Sequence, residues 1–405
     1  MTRRPASLIP ASRYVSPDWA ARENAFLWPR IWHFACLSSD IALPGERSVL
    51  DIGSTSAFVI RGEDGIARGF HNVCRHRGSR LCNSSDSSSA HVRCPYHHWT
   101  WQPTGKLLSM PEGTQFLQPP GDVALLPVLC EERHGLVWLC LDTPRVPLDE
   151  FLAPIEQILQ VFRLDRWTRT DAITLDVQAN WKTSADVSNE GYHLRTLHPE
   201  VLPVLDDTQT QLDFLGPHSQ LIAHFGQPSP HMAANAPYDE TVKGWLQSLG
   251  LTQPLDPRTP HLRGRVQQAM RAHGLAQKLP WNLLTDAQLI DNTQLNLFPN
   301  TQLNLYAHRL QVYRHRPGLT PVLMEFDQFG YRPLAEGETR PPLPPHKHGD
   351  ARTAEQGPMM AADLAIVANL QRGLQSPACD GLRLTREEGA IAHLHAGLEE
   401  WLETP

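Results

Sequence analysis

Two short segments carry residue types that bind metals: Cys74-Arg75-His76-Arg77-Gly78 and Cys94-Pro95-Tyr96-His97-His98-Trp99. Each offers one thiolate and one imidazole, and 17 residues lie between His76 and Cys94. That distribution lets two sulfurs hold one iron and two nitrogens the other in a [2Fe–2S] cluster, raising its reduction potential above that of an all-cysteine cluster. Gly78 and Pro95 suit tight loops whose backbone amides can donate to cluster sulfurs. Zinc accepts the same donors, but its sites usually pair Cys with Cys and His with His. The cofactor-binding set read here is Cys74, His76, Cys94 and His97, with zinc or four unrelated loop residues as the alternatives.

A second constellation is Glu190-Gly191-Tyr192-His193-Leu194-Arg195-Thr196-Leu197-His198-Pro199. The spacing predicts a helix on which Glu190 and His193 lie one turn apart. Pro199 disfavours the α conformation at His198, so the helix should end there and the chain swing His198 back beside His193. Two histidines and a carboxylate form the donor set that leaves positions open on Fe(II) for O2. Asp363 is the best third ligand. It opens an apolar helical stretch with Leu364, Ile366, Val367 and Leu370, so its carboxylate is expected to be partly buried and to need a partner. In a chain with 20 histidines such spacings also arise among unrelated surface residues, and the upstream cluster motif is what favours metal.

The elements that must position these residues can be traced along the chain. Ser16, Pro17 and Asp18 make a helix start before residues 19–26. From 31 to 141, short β-rich runs alternate with Gly, Asp and Pro turns, as in a small all-β domain. The Ser-rich stretch 83–90 reads as a loop. Helix is expected around 149–162, strands around 168–177 and 302–329, and a long exposed loop over 333–358, which is dense in Pro and Gly. A helix over 359–372 with Gly373 as its C′ residue, and a second over 385–402, complete the chain.

The motifs resemble those of ring-hydroxylating Rieske oxygenases. Cys74–Gly78 matches the family's C-x-H-R-G. Cys94–Thr100 is similar to its C-P-Y-H-G-W segment, with His98 where the family has Gly, and Gly105-Lys106-Leu107 resembles the hairpin that follows. Asn180-Trp181-Lys182 ahead of the E-x2-H-x4-H run implies His193 and His198 as iron ligands. The Asp eight residues before Gln371-Arg372-Gly373-Leu374 implies Asp363 as the third. The acidic residue three before the first histidine implies a catalytic role for Glu190, bridging the two metal centres of neighbouring protomers; glutamate there resembles the carnitine and betaine monooxygenase branch. Asp186-Val187 stand where the family has a Glu-Asn pair. The matches span about residues 30–400 and imply an α+β fold. Residues 1–30 would be an N-terminal helical segment packing on the catalytic domain, 31–150 a small all-β Rieske [2Fe–2S] domain, and 151–405 a helix-grip (START-like) catalytic domain with an antiparallel sheet around mononuclear Fe(II). The resemblance further implies a homotrimeric ring of head-to-tail contacts.

Composition narrows the remaining classes. The chain has 405 residues, 41% hydrophobic and 20% charged, enough for two or three domains. A net charge of −7 with no long block of like charge argues against nucleic-acid binding, which would normally use a basic face. The apolar runs reach about a third of the ~20 residues that span a membrane. Arg3-Arg4 are followed by Pro5-Ala6-Ser7 rather than an apolar run, so a cytoplasmic location is expected. Seven scattered cysteines do not form a disulfide framework. Without a G-x-G-x-x-G motif or P-loop, NAD(P)H chemistry is expected on a separate reductase, with or without a ferredoxin. A pocket within 201–323 would draw on Phe214, Phe225, Trp281, Phe298 and Tyr306. The reading is an oxygenase component that uses O2 to hydroxylate an aromatic or alicyclic small molecule. The alternative is a monooxygenase or N-demethylase whose aromatic cage takes a quaternary ammonium compound of carnitine or betaine type. A ferredoxin-like carrier would need only 31–145, and a zinc-stabilised binding protein would show no visible absorption from its metal.

Overall fold

The fold is that of a computed structural model, which describes residues 8–83, 89–117, 121, 123–251 and 255–403. Most of the expected Ser-rich loop, residues 84–88, lies outside them. The β-rich N-terminal text forms a six-stranded antiparallel sheet in the order His33–Leu37, Leu136–Cys140, Pro127–Arg133, Ala67–His71, Thr55–Arg61, Arg47–Ile52. A smaller sheet of Val92–Arg93, Thr100–Trp101 and Leu107–Ser109 carries the second cysteine loop. Phe58, Phe70, Val92, Trp99 and Trp101 are buried together with Cys74 and Cys94, so an apolar floor fixes both metal loops from below.

The second sheet has eight strands in the order Gln211–Leu215, His218–Ala223, Asn292–Leu297, Thr301–Leu305, Leu310–Pro317, Met324–Pro333, Trp167–Val177, Lys347–Asp350. Its period-two pattern sorts side chains between faces. Leu295, Leu297, Leu303, Leu305 and Val312 turn one way into the core. Gln294, Asn296, Gln302, Asn304, Tyr313 and His315 share the opposite face, over which the helix Trp181–Ser188 lies: His315 Nδ1 is 3.0 Å from Ser184 Oγ. Arg314 donates from the sheet to Phe34 O and Ala35 O, and Arg316 to Asp51 O, stitching the two sheets together.

At the N-terminus the Ser16 hydroxyl accepts from the amides of Asp18 and Trp19, and the helix Pro17–Arg22 continues into a π turn, Glu23–Leu27. Buried Glu23 accepts from Trp19 Nε1 (2.9 Å), Trp181 Nε1 (3.1 Å) and Lys182 Nζ (2.6 Å), anchoring the segment on the helix Trp181–Ser188.

Three expectations are corrected. The 333–358 stretch is not loop throughout, because Lys347–Asp350 adds a parallel edge strand to Ile173–Asp176 and satisfies backbone groups that would otherwise face solvent. Gly373 does not end its helix, which runs Pro358–Leu374. Burial of Leu374 against Ile9, Tyr14 and Ile391 carries the helix through the glycine. The final helix is Gly389–Glu403, starting later than expected because Thr385 to Glu388 form its entry, with Glu388 accepting from the Thr385 amide. Among the described residues no helix is long and apolar enough to cross a membrane.

Candidate metal centres

The two cysteine loops are the same turn built twice. Cys74 N donates to Ser79 O and Gly78 N to Cys74 O; Cys94 N donates to Trp99 O and His98 N to Cys94 O. The residue four after each cysteine is left-handed, Gly78 at φ 76° and His98 at φ 61°. Glycine takes that conformation freely, whereas a side chain costs about 1 kcal/mol there. His98 instead pairs its Nδ1 with Arg93 Nη2 at 2.8 Å, on the exposed side.

The remaining donors point inward. Cys74 and Cys94 are buried, and Nδ1 of both His76 and His97 is buried with no hydrogen-bond partner. The two imidazoles lie 4.7 Å apart between centroids, and His76 stacks on Trp99 at 5.0 Å and 5°. Burial pushes both thiols up. For Cys94 the amides of Tyr96 and His97, with Cys74 and the Ser79 hydroxyl, outweigh burial and hold it below its ordinary value; Cys74 stays above. Orphaned buried nitrogens are costly unless something binds them. Two thiols and two such nitrogens fit a two-cysteine, two-histidine cluster, with backbone N–H groups ready to donate to its sulfurs.

The second centre departs from the expected single helix. Asn189 ends the helix Trp181–Ser188 by donating its amide to Asp186 O, so Glu190 lies in the break before the one-turn helix Leu194–Leu197. From there Glu190 caps the next turn: Oε2 accepts from the His193 amide at 3.1 Å, and Oε1 lies 2.5 Å from His193 Nδ1. His198 has left the helix at φ −127°, as Pro199 requires. Its Nε2 lies 2.6 Å from Asp363 Oδ1, and His193 Nε2 lies 3.9 Å from the same oxygen. One donor atom from each of the three residues falls within 4.8 Å of the others. Burial lowers the His193 imidazole, but the hydrogen bond and charge of Glu190, with Asp363, raise it above its ordinary value. Three donors aimed at one point, with His193 oriented from behind by a carboxylate, fit a two-histidine, one-carboxylate metal.

The aromatic residues expected to share a pocket are dispersed. Trp281 is core, Phe298 packs against Trp401, and Phe214 is exposed beside His393. Phe225 and Tyr306 do meet, 6.1 Å apart, and Trp245 stacks on Phe225 at 6.2 Å. Trp245 gave no sequence signal, because only the packing of the helix Tyr238–Ser248 brings it there. Asp186 was noted only as a departure from the family pattern. It is buried and accepts from Tyr14 Oη at 2.6 Å, with His395 Nε2 at 3.3 Å.

Known protein families match both parts of the chain that carry these residues. The ring hydroxylating alpha subunit (catalytic domain) family matches residues 164–404, and the Rieske [2Fe-2S] domain family matches 31–126. The glycine betaine monooxygenase oxygenase subunit of Chromohalobacter salexigens is 29% identical over 277 residues, 67% of this chain and 59% of that protein. The Pseudomonas aeruginosa glycine betaine monooxygenase oxygenase subunit is 34% identical over 176 residues, 43% of this chain and 41% of that protein. The chain thus spans about half the length of the curated relatives it matches. A crystal structure of a quaternary ammonium Rieske monooxygenase with L-carnitine shares the fold, with a TM-score of 0.70, 17% identity, and coverage of 98% of this chain and 96% of that one. With one family match covering the catalytic sheet and its helices and the other the two cysteine loops, the chain belongs to the Rieske non-haem iron oxygenases, in the ring-hydroxylating alpha-subunit family.

Proposed function

We propose that this chain is the oxygenase component of a system that draws electrons from a separate NAD(P)H-dependent reductase, with or without a ferredoxin, and oxidises a quaternary ammonium compound of betaine or carnitine type. The observation that carries the reading is the convergence of His193, His198 and Asp363, with Glu190 on the outer nitrogen of His193. In this reading Cys74, His76, Cys94 and His97 hold a [2Fe–2S] cluster, and the other three residues hold iron. Bound there, the cluster supplies single electrons and the iron supplies O2 activation.

The residues of the chain perform the rest. Glu190 keeps the proton of His193 on Nδ1, so that Nε2 presents its lone pair beside Asp363. Besides the amide and ring of His193, its carboxylate has room for a further donor, His97 of a neighbouring protomer, which would make the assembly a homotrimeric ring. In this reading the chain works in the cytoplasm beside its reductase.

The substrate preference reverses the aromatic or alicyclic expectation. Its support is the activity for which the relatives are named and the stacking of Trp245 on Phe225, whose faces can attract a cation; the Tyr306 ring beside them already carries the Arg309 guanidinium at 4.9 Å. The test is a substrate screen with reductase, scored by NADH and O2 consumption against product. Betaine- or carnitine-type substrates should yield an aldehyde, because hydroxylation at a carbon next to the ammonium nitrogen releases one. Coupled turnover of benzoate- or naphthalene-type compounds alone would overturn the substrate reading, and a colourless protein without a rhombic reduced EPR signal would overturn the cofactors.

A further inference from the structure

The helix Trp181–Ser188 stops two residues before Glu190, and its last carbonyl is held from below by the sheet. Gln294 Nε2 donates to Ser188 O at 2.9 Å, and Gln302 Nε2 donates to the same oxygen at 2.8 Å. The two glutamines come from adjacent strands and lie diagonally across one face, since Gln294 opposes Asn304 and Asn296 opposes Gln302. Gln294 also donates to Asn296 Oδ1 at 3.0 Å, and Asn296 Nδ2 to Ser219 Oγ at 3.0 Å, so three strands brace the arrangement.

The last four carbonyls of a helix lack intrahelical donors, and one donor or a water is enough to satisfy such a group. Here two carboxamides converge on one oxygen. Gln302 does so at a cost: it is 3% exposed and its Oε1 is buried without a hydrogen-bond partner. A methionine of similar length would avoid that desolvation cost of about 1–3 kcal/mol. Packing alone therefore does not account for a glutamine here, whereas its N–H does.

We propose that Gln294 and Gln302 are positioning residues for Glu190. They fix Ser188, and only Asn189 lies between Ser188 and the glutamate whose two oxygens hold the amide and ring of His193. A shift at the end of the helix passes to Glu190 through two rigid peptide units. This inference rests on the reading of Glu190 as the bridge between the two metal centres.

The test uses Gln294→Met with Gln302→Met, which keep length and remove both donors, and Gln294→Met alone at the partly exposed site in case the pair fails to fold. In metal-free protein, exchange of the His193 amide should quicken about tenfold while melting shifts by only a few degrees. In the loaded protein, pre-reduced cluster should be reoxidised about 10–100-fold more slowly in the presence of substrate and O2, the usual range for partners behind a ligand. The methionines should slow it no further in a Glu190→Gln background, because residues acting through one group are not additive. Wild-type exchange and reoxidation in the methionine variants, with Glu190→Gln slow, would overturn the inference alone. Additive slowing would reduce the glutamines to an ordinary structural role and overturn it too. Wild-type reoxidation in Glu190→Gln would bring down the bridging reading itself.

Discussion

Nε2 of His198 lies 2.6 Å from Oδ1 of Asp363 across 165 residues of sequence. The imidazole is almost fully buried, while the carboxylate side chain is 25% exposed, so the donor set is closed on the His198 side and open on the Asp363 side. A metal bound there would keep an accessible face.

Replacing Asp363 with alanine should therefore remove iron and turnover while leaving the visible spectrum of the cluster intact. Loss of a ligand should exceed the roughly 10–100-fold typical of groups one step behind it. Iron quantitation beside the spectrum decides, and His193→Ala or His198→Ala should behave the same way. Full iron and activity in the Asp363 variant would mean that another carboxylate is the ligand.

Cys74→Ser or His97→Ala should abolish the cluster spectrum without unfolding the catalytic sheet. The cysteine loops rest on Phe58, Phe70 and Trp101, a core separate from the one beneath the iron ligands. The measurements are visible absorption and the far-ultraviolet spectrum of each variant. Unchanged absorption in both would remove the assignment.

Much of this was legible because ligand sets are written locally. The C-x-H and C-x2-H pairs lie within single turns, and Pro199 marks where His198 leaves the helix. Asp363 stood out as a charge in an apolar helical stretch. The position of Glu190 was misread because the stop at Asn189 depends on a hydrogen bond to Asp186 O and on sheet glutamines more than 100 residues away. Gly373 was misread for a similar reason. Gln371, 1% exposed, accepts from the Asn180 amide and the Thr183 hydroxyl, and such tertiary anchors override a local stop signal. The meeting of Phe225 with Trp245 and the edge strand Lys347–Asp350 are likewise products of packing, which no periodicity encodes.

Asp327→Asn should destabilise the chain by about 3–5 kcal/mol, the cost of breaking a buried ion pair. Asp327 is fully buried and accepts from Arg314 Nε at 2.7 Å, Arg316 Nε at 2.7 Å and Nη2 at 2.8 Å, and Thr174 Oγ1 at 2.6 Å. Burial pushes its carboxyl up, but the two guanidiniums outweigh that and hold it far below the usual range. The same arginines reach Phe34, Ala35 and Asp51, so the loss should also loosen the junction between the sheets. Denaturant midpoints with an unchanged slope would measure it, and a change below about 1 kcal/mol would contradict the account.

Stability should fall as pH drops below about 6.5, and His218 should be one of the causes. Both of its ring nitrogens are committed: Nε2 donates to Phe151 O at 2.8 Å, and Nδ1 accepts from the Phe298 amide at 3.1 Å. A second proton would have to sit against that amide. Burial, the largest influence, lowers the imidazole to about 4, and the bond to Phe151 only partly opposes it. The unfolded chain therefore takes up a proton from about pH 6.5 downward while the folded chain does not, so stability is lost until pH reaches about 4. At pH 5 the loss from this one residue should be about 2 kcal/mol. Buried His33, also lowered to about 4, adds a similar amount. Comparing wild type with His218→Gln by denaturation at pH 7.5, 6.0 and 5.0 isolates the effect from the other histidines. The variant should be less stable at pH 7.5, and the difference should shrink as the pH falls. A difference that stays constant across that range would show that His218 is not held neutral by the fold.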